Sequence, residues 1–154
     1  MSSNSENESF PSIRYWLKFK SEEAIKRIVE RARAELPDYR KRDIDELTAR
    51  VRLSYTNWCE SVLKKDLSLA RSNSEQVIRE NAAHNLDLTQ TSRTPWMLCE
   101  VALEILDEAG AKVDDQERAN FAAQARQMTS NMVTFGQLRI ASTIAQKAMD
   151  NLKP

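Results

Sequence analysis

Only two glycines, Gly110 and Gly136, occur in the 154 residues of this chain, and that scarcity constrains it more than any motif. A phosphate-cradling loop needs several glycines at fixed offsets, because its backbone must approach the ligand closely and adopt positive φ. Neither glycine has a partner at such an offset, so loops of the G-x-G-x-x-G or Walker type are absent. A fold of many short strands would demand dense turn residues that this chain also lacks. What it can build is long helices. The expected fold class is all-α, a single helical bundle with a long C-terminal helix.

The length suits one domain with one core. With 41% hydrophobic and 30% charged residues, the chain has the make-up of a folded domain in contact with water. Its 23 basic and 23 acidic residues cancel, so no global field draws it to nucleic acid or to an anionic membrane. No apolar run approaches the roughly 20 residues that span a bilayer. Residues 1–9 show no basic n-region followed by an apolar h-region, so no secretory signal is read there. A cytoplasmic location is expected, with neither nucleic acid nor membrane as partner. Cys59 and Cys99 each lie within an apolar helical pattern and lack C-x-x-C spacing, which reads as two free, buried thiols.

Residues 1–10 are polar and aperiodic and read as a disordered tail, leaving 11–154 as one helical domain. Behind Pro11 and Ser12, the cluster Ile13, Trp16, Leu17 and Phe19 predicts a helical turn docked on the bundle. Ser21 reads as an N-cap, with Glu22 and Glu23 at the positive end of the helix dipole. Ile25, Ile28, Val29, Ala32 and Leu36 then form one buried stripe, which Pro37 ends. A short charged linker, 38–42, follows. Asp43 with Glu46 opens a capping box, and Ile44, Leu47, Val51, Tyr55 or Ser54, Trp58, Val62 and Leu63 carry the stripe to about Lys65.

Ser72 with Glu75 predicts a shorter helix bearing Val77, Ile78 and Ala82. Asp87 with Gln90 begins a segment that Pro95 kinks or locally breaks, the alternative being Thr94 and Pro95 as N-cap and N1. Leu98, Val101, Ala102, Ile105 and Leu106 lead to Gly110, a suitable C′ residue. Asp114 with Glu117 opens the last helix, where Phe121, Ala125, Met128, Met132 and Phe135 recur at spacings 4, 3, 4, 3. Ile140 or Ala141, Ile144, Ala148 and Leu152 extend that seam, the pattern of a helix packed nearly parallel to a neighbour. Gly136 costs this helix about 1 kcal/mol relative to alanine and marks a candidate bend.

Chemistry-bearing clusters are sparse. The one histidine, His84, excludes H-E-x-x-H and multi-histidine metal sites. It stands at a helix end among polar neighbours, where the dipole accounts for it. A lone histidine in a helical chain of this length also raises haem ligation, which would require His84 to point into an apolar pocket. Acidic pairs such as Asp114–Asp115 serve as helix starts, and Arg40–Lys41–Arg42 with Lys64–Lys65 reads as a solvated face. Met128, Met132 and Phe135 could line a small-molecule pocket or pack as core.

The stretch from Arg31 to Tyr39, with Asp45–Glu46–Leu47 opening a long helix through Trp58, resembles the helical N-terminal sensor domain of RsbR-type co-antagonist proteins. The likeness continues through Ala82–Ala83–His84–Asn85–Leu86–Asp87–Leu88 and into the final helix, and covers residues 21 to 150. Asn85 stands where that family commonly has glycine, and Pro95 interrupts a helix it usually runs through. The resemblance implies a globin-like or bundle-like input domain, without enzymatic activity or cofactor, that dimerises and passes a signal to an output module. The expected dimer or relay face is Phe121, Met128, Met132, Phe135 and Ile144. A haem- or ligand-binding protein using His84 and a helical adaptor are the alternative readings.

Overall fold

A computed structural model describes residues 9–153, and among these there is no strand. The chain is all-α. Helix α1 (Pro11–Phe19) begins with proline in its first turn, where the missing N–H would have no helical partner anyway. Ile13, Trp16 and Leu17 are buried, and the Trp16 indole N–H donates to the Ile105 carbonyl at 3.2 Å. Phe19, expected in the same cluster, is exposed and stacks on Tyr15. Of the tail expected over 1–10, residues 1–8 lie outside the described residues; Phe10 packs edge-on against Phe121 with ring centres 5.5 Å apart.

Helix α2 (Ser21–Glu35) follows after one residue, Lys20. Ser21 is its first helical residue and not its cap, because the Trp16 carbonyl already binds the Lys20 N–H and the chain barely leaves helical geometry. The stripe Ile25, Ile28, Val29, Ala32 and Leu36 is buried throughout. Leu36 turns extended ahead of Pro37, as the residue before proline must, yet part of the expected linker is itself helical: a single turn, α3 (Pro37–Arg40), buries Tyr39. Asp43 caps α4 (Ile44–Lys64) by accepting the N–H groups of Asp45 and Glu46. Leu47, Val51, Ser54, Tyr55, Trp58, Val62 and Leu63 are buried; Ile44, at the exposed first turn, is not.

Helix α5 (Ser68–Ala83) starts one turn before the Ser72 box would place it. The Asp66 carboxylate accepts the Ser68 N–H at 2.9 Å, so initiation happens there and Ser72 falls within the helix. Its end explains Asn85, which takes the left-handed conformation at φ 56 while the Leu86 N–H returns to the Asn81 carbonyl. Asparagine does the work of a glycine at that turn. Asp87 binds the Thr89 N–H and opens a 3₁₀ turn, Leu88–Ser92, in place of an α-helix. The Gln90 side chain is not closing a box; it accepts the Asp38 N–H. Helix α6 (Thr94–Glu108) therefore carries Pro95 in its first turn, after a local break, with no side-chain cap from Thr94.

Gly110 sits at φ 57 just past α6 and leads through the 3₁₀ turn Gly110–Lys112 to Asp114, the cap of α7 (Asp115–Asn151). Helix α7 is 37 residues long and runs without a break through Gly136. Its first half completes a core with α1, α2, α4 and α6 in which Trp58 and Phe121 are fully buried, each worth roughly 1.5–3 kcal/mol of apolar burial. Its second half runs along α5, where Ile140 packs with Ile78 and Leu88. Carboxylate–guanidinium forks join α2 to α6: Arg27 to Glu108 at 2.7 Å, and Arg31 to Glu104 at 2.8 and 3.0 Å.

Candidate functional site

Where α4, α5, α6 and α7 converge on the 3₁₀ turn, they leave a mainly apolar cavity of about 60 Å³. Val51 and Ser54 come from α4, Asn73 and Ile78 from α5, Thr94 and Leu98 from α6, and Met132, Gly136 and Ile140 from α7. The last three recur at i, i+4, i+8 and so share one row of the helix. Met132 and Ile140 are buried, which fixes that row as inward-facing. A Cβ added at Gly136 would meet no atom within 4 Å. Glycine here serves neither a turn nor a close backbone approach, since the helix is regular and the neighbouring space is open.

Some of the polar groups around this cavity are already committed to hydrogen bonds. Asn73 donates to Ser54 Oγ at 3.1 Å and accepts from Arg50 at 3.3 Å, while Arg50 also grips both oxygens of Glu80 at 2.6 and 2.7 Å. Thr91 donates to the Leu88 carbonyl. Thr94 Oγ1 is buried and without a hydrogen-bond partner. The Arg50 charge is already neutralised by Glu80, while Tyr39, Ser74 and Ser92 add further hydroxyls to the lining.

Of the five residues expected as a dimer or relay face, only Met132 reaches this cavity. Phe121, Met128 and Met132 are buried in the chain's own core and so present no surface to a partner. Phe135 is half-buried, with the guanidinium groups of Arg71 and Arg139 over its ring at 5.6 and 5.5 Å. Ile144 is 50% exposed. Beyond the cavity the outward row Leu138, Ala141, Ala145, Met149 and Leu152 is exposed, with Leu138 at 68% and Leu152 at 84%.

His84 occupies the C-cap of α5, is exposed, and does not line the cavity, so the apolar setting that haem ligation requires is not around it. Cys59 and Cys99 are free and buried. Burial pushes the Cys59 thiol up to about 12, far from a reactive thiolate. Among the described residues no group of three or more His, Cys, Asp or Glu is placed to hold a metal ion, and no helix is long and apolar enough to cross a membrane.

Of the three residues raised as pocket lining from the sequence, Met132 borders the cavity and Met128 and Phe135 do not, and the rest of the lining was missed. Its clues were Gly136 inside a strong helix and Thr94 beside Pro95, but the lining comes from segments that no single periodicity relates. Comparison with family models, with curated proteins and with solved structures finds no match for this chain.

Proposed function

We propose that the chain is a non-enzymatic signal-input domain of a bacterial signalling protein, of the stress-response co-antagonist or histidine-kinase type, acting in the cytoplasm. The stimulus is received in the helical body and relayed by α7 to an output module or partner. The observation that carries this reading is the division of α7. One unbroken helix has Phe121, Ala125, Met128 and Met132 in the core and Leu138, Met149 and Leu152 on the surface. From Asp115 to Leu152 it spans about 57 Å at 1.5 Å per residue. A close-packed core resists local deformation, so repacking around Met132 moves the whole rod. The resemblance to RsbR-type input domains supports the same reading, and with it a globin-like, single-bundle arrangement.

Relay through a continuous helix depends on rotational phase. The test joins the chain in register to a helix-entered kinase and inserts one to four residues after Leu152. Output should fall with two inserted residues and recover with four, following the 3.6-residue turn. Output indifferent to every insertion overturns the proposal.

Pairing of two chains belongs to this reading, now placed on the outward row of α7 instead of the buried face. Light scattering at micromolar concentration should give about twice the 17.7 kDa chain mass. Leu138→Glu with Met149→Glu should return it to the monomer. A wild-type mass near 17.7 kDa rejects pairing.

A further inference from the structure

Helix α7 carries a second seam, on the side away from the core. Steps of 4, 3, 4, 3, 4, 3, 4 lead from Gln127 through Asn131, Thr134, Leu138 and Ala145 to Leu152, and every position on them is exposed. This is the a/d repeat of a two-stranded coil, held for about 38 Å at 1.5 Å per residue. In a chain with 30% charged residues, none of these positions is charged. Neither is any flanking e or g position, Ile144 and Met149 among them. The charges of this half point elsewhere: Arg139 pairs with Glu75, and Lys147 donates to Asn85.

Charge and polarity together select what fits. A charged surface would lose hydration against this strip and find no counter-charge. The strip also changes character along its length, from Gln127, Asn131 and Thr134 to alanines between Leu138 and Leu152. Two copies laid parallel and in register set amide against amide and leucine against leucine. Laid antiparallel over the same length, they would press the Gln127 and Asn131 amides onto Leu152 and Ala148, which offer no hydrogen-bonding side chain. The parallel register also brings Ile144, a g residue, against Met149, the e residue of the next heptad in the second copy, and so covers the thin alanine layers. We infer that α7 pairs with α7 of a second copy, parallel and in register from Gln127 to Leu152, with Asn131 facing its own counterpart. An asparagine at one a position is a known device for fixing register and strand number. This rests on the pairing within the proposed function and adds the orientation and register that pairing alone leaves open.

Single cysteines in the full chain test it. Asn131→Cys and Ala145→Cys, made separately at exposed positions, are oxidised at micromolar concentration beside the wild type, whose Cys59 and Cys99 are buried. An a residue lies beside its own counterpart in a parallel pair, within disulfide reach. Both variants should form a cross-linked dimer on a non-reducing gel, and the wild type should not. Asn131→Glu sets two carboxylates face to face and should weaken pairing at least about tenfold on dilution. A wild-type mass near 17.7 kDa overturns the pairing and this inference together. A wild-type dimer in which Asn131→Cys fails to cross-link overturns the parallel register alone; an antiparallel overlap of the apolar ends would still cross-link Ala145→Cys. Pairing undiminished in Asn131→Glu likewise overturns the inference and leaves the dimer standing.

Discussion

The backbone N–H of Ser12 donates to Glu117 Oε1 at 3.0 Å, tying the first turn of α1 to the first turn of α7 across 105 residues of sequence. In return, Ser12 Oγ accepts the Asp114 N–H at 3.2 Å, and the Asp114 carboxylate accepts the Glu117 N–H at 2.9 Å. In an ordinary capping box Glu117 would reach back to the Asp114 N–H. Here Ser12 fills that role, and Glu117 is released to cap α1. Ser12→Ala and Glu117→Ala should each lower stability by roughly 0.5–2 kcal/mol. In a double-mutant cycle by urea unfolding they should couple by about 0.5 kcal/mol or more. Strictly additive losses would show that the two caps are independent.

Inside the core, the Trp58 indole N–H donates to Thr129 Oγ1 at 3.0 Å. Thr129→Val keeps the shape but strands a buried donor, so it should cost about 1–3 kcal/mol. Thr129→Ser retains the acceptor and should cost less, despite its smaller volume. A valine variant as stable as the wild type in thermal or urea unfolding would remove the bond from the stability of the core.

Lys65 ends α4 in the left-handed conformation at φ 55. A non-glycine residue there carries a cost of about 1–2 kcal/mol, while glycine adds about 0.5–1 kcal/mol of entropy to the unfolded chain. Lys65→Gly should therefore stabilise the protein by about 0.5–1 kcal/mol, and Lys65→Ala should not. Asn85→Gly should gain less, because asparagine tolerates this conformation and its Oδ1 accepts a bond from Lys147 Nζ at 2.8 Å. The measurement is the shift in urea midpoint, and a loss in Lys65→Gly contradicts it.

Glu104 and Glu108 are held below the usual glutamate value of 4.5, chiefly by their hydrogen bonds to Arg31 and Arg27. A carboxyl whose folded pKa is depressed adds stability that is complete above its unfolded value and is lost as pH falls through the folded one. Stability should thus decline as pH drops below about 4.5, and salt should soften the effect because these pairs are half-exposed. Replacing both arginines by glutamine should flatten the acid limb between neutral pH and about pH 3. An unchanged limb in that variant would assign the acid sensitivity to other carboxylates.

Periodicity and caps were legible in the residues themselves. Two glycines and uninterrupted 3.6-residue spacing determine an all-α chain, and Asp43, Asp114 and Gly110 mark helix ends because their chemistry is satisfied within a few residues of sequence. Spacing also identified much of what would be buried, including the row from Phe121 to Met132, but not the distal half of α7, where Ile144, Ala148 and Leu152 are exposed. It could not say what would cover that row. A hydrophobic stripe is satisfied equally by its own chain or by another, and only the folded arrangement of α1, α4 and α6 decides that Phe121, Met128 and Met132 face inward. The same limit hid the Ser12–Glu117 exchange and the space beside Gly136. Both depend on which helix ends and faces meet, a matter of three-dimensional packing between segments far apart in the chain.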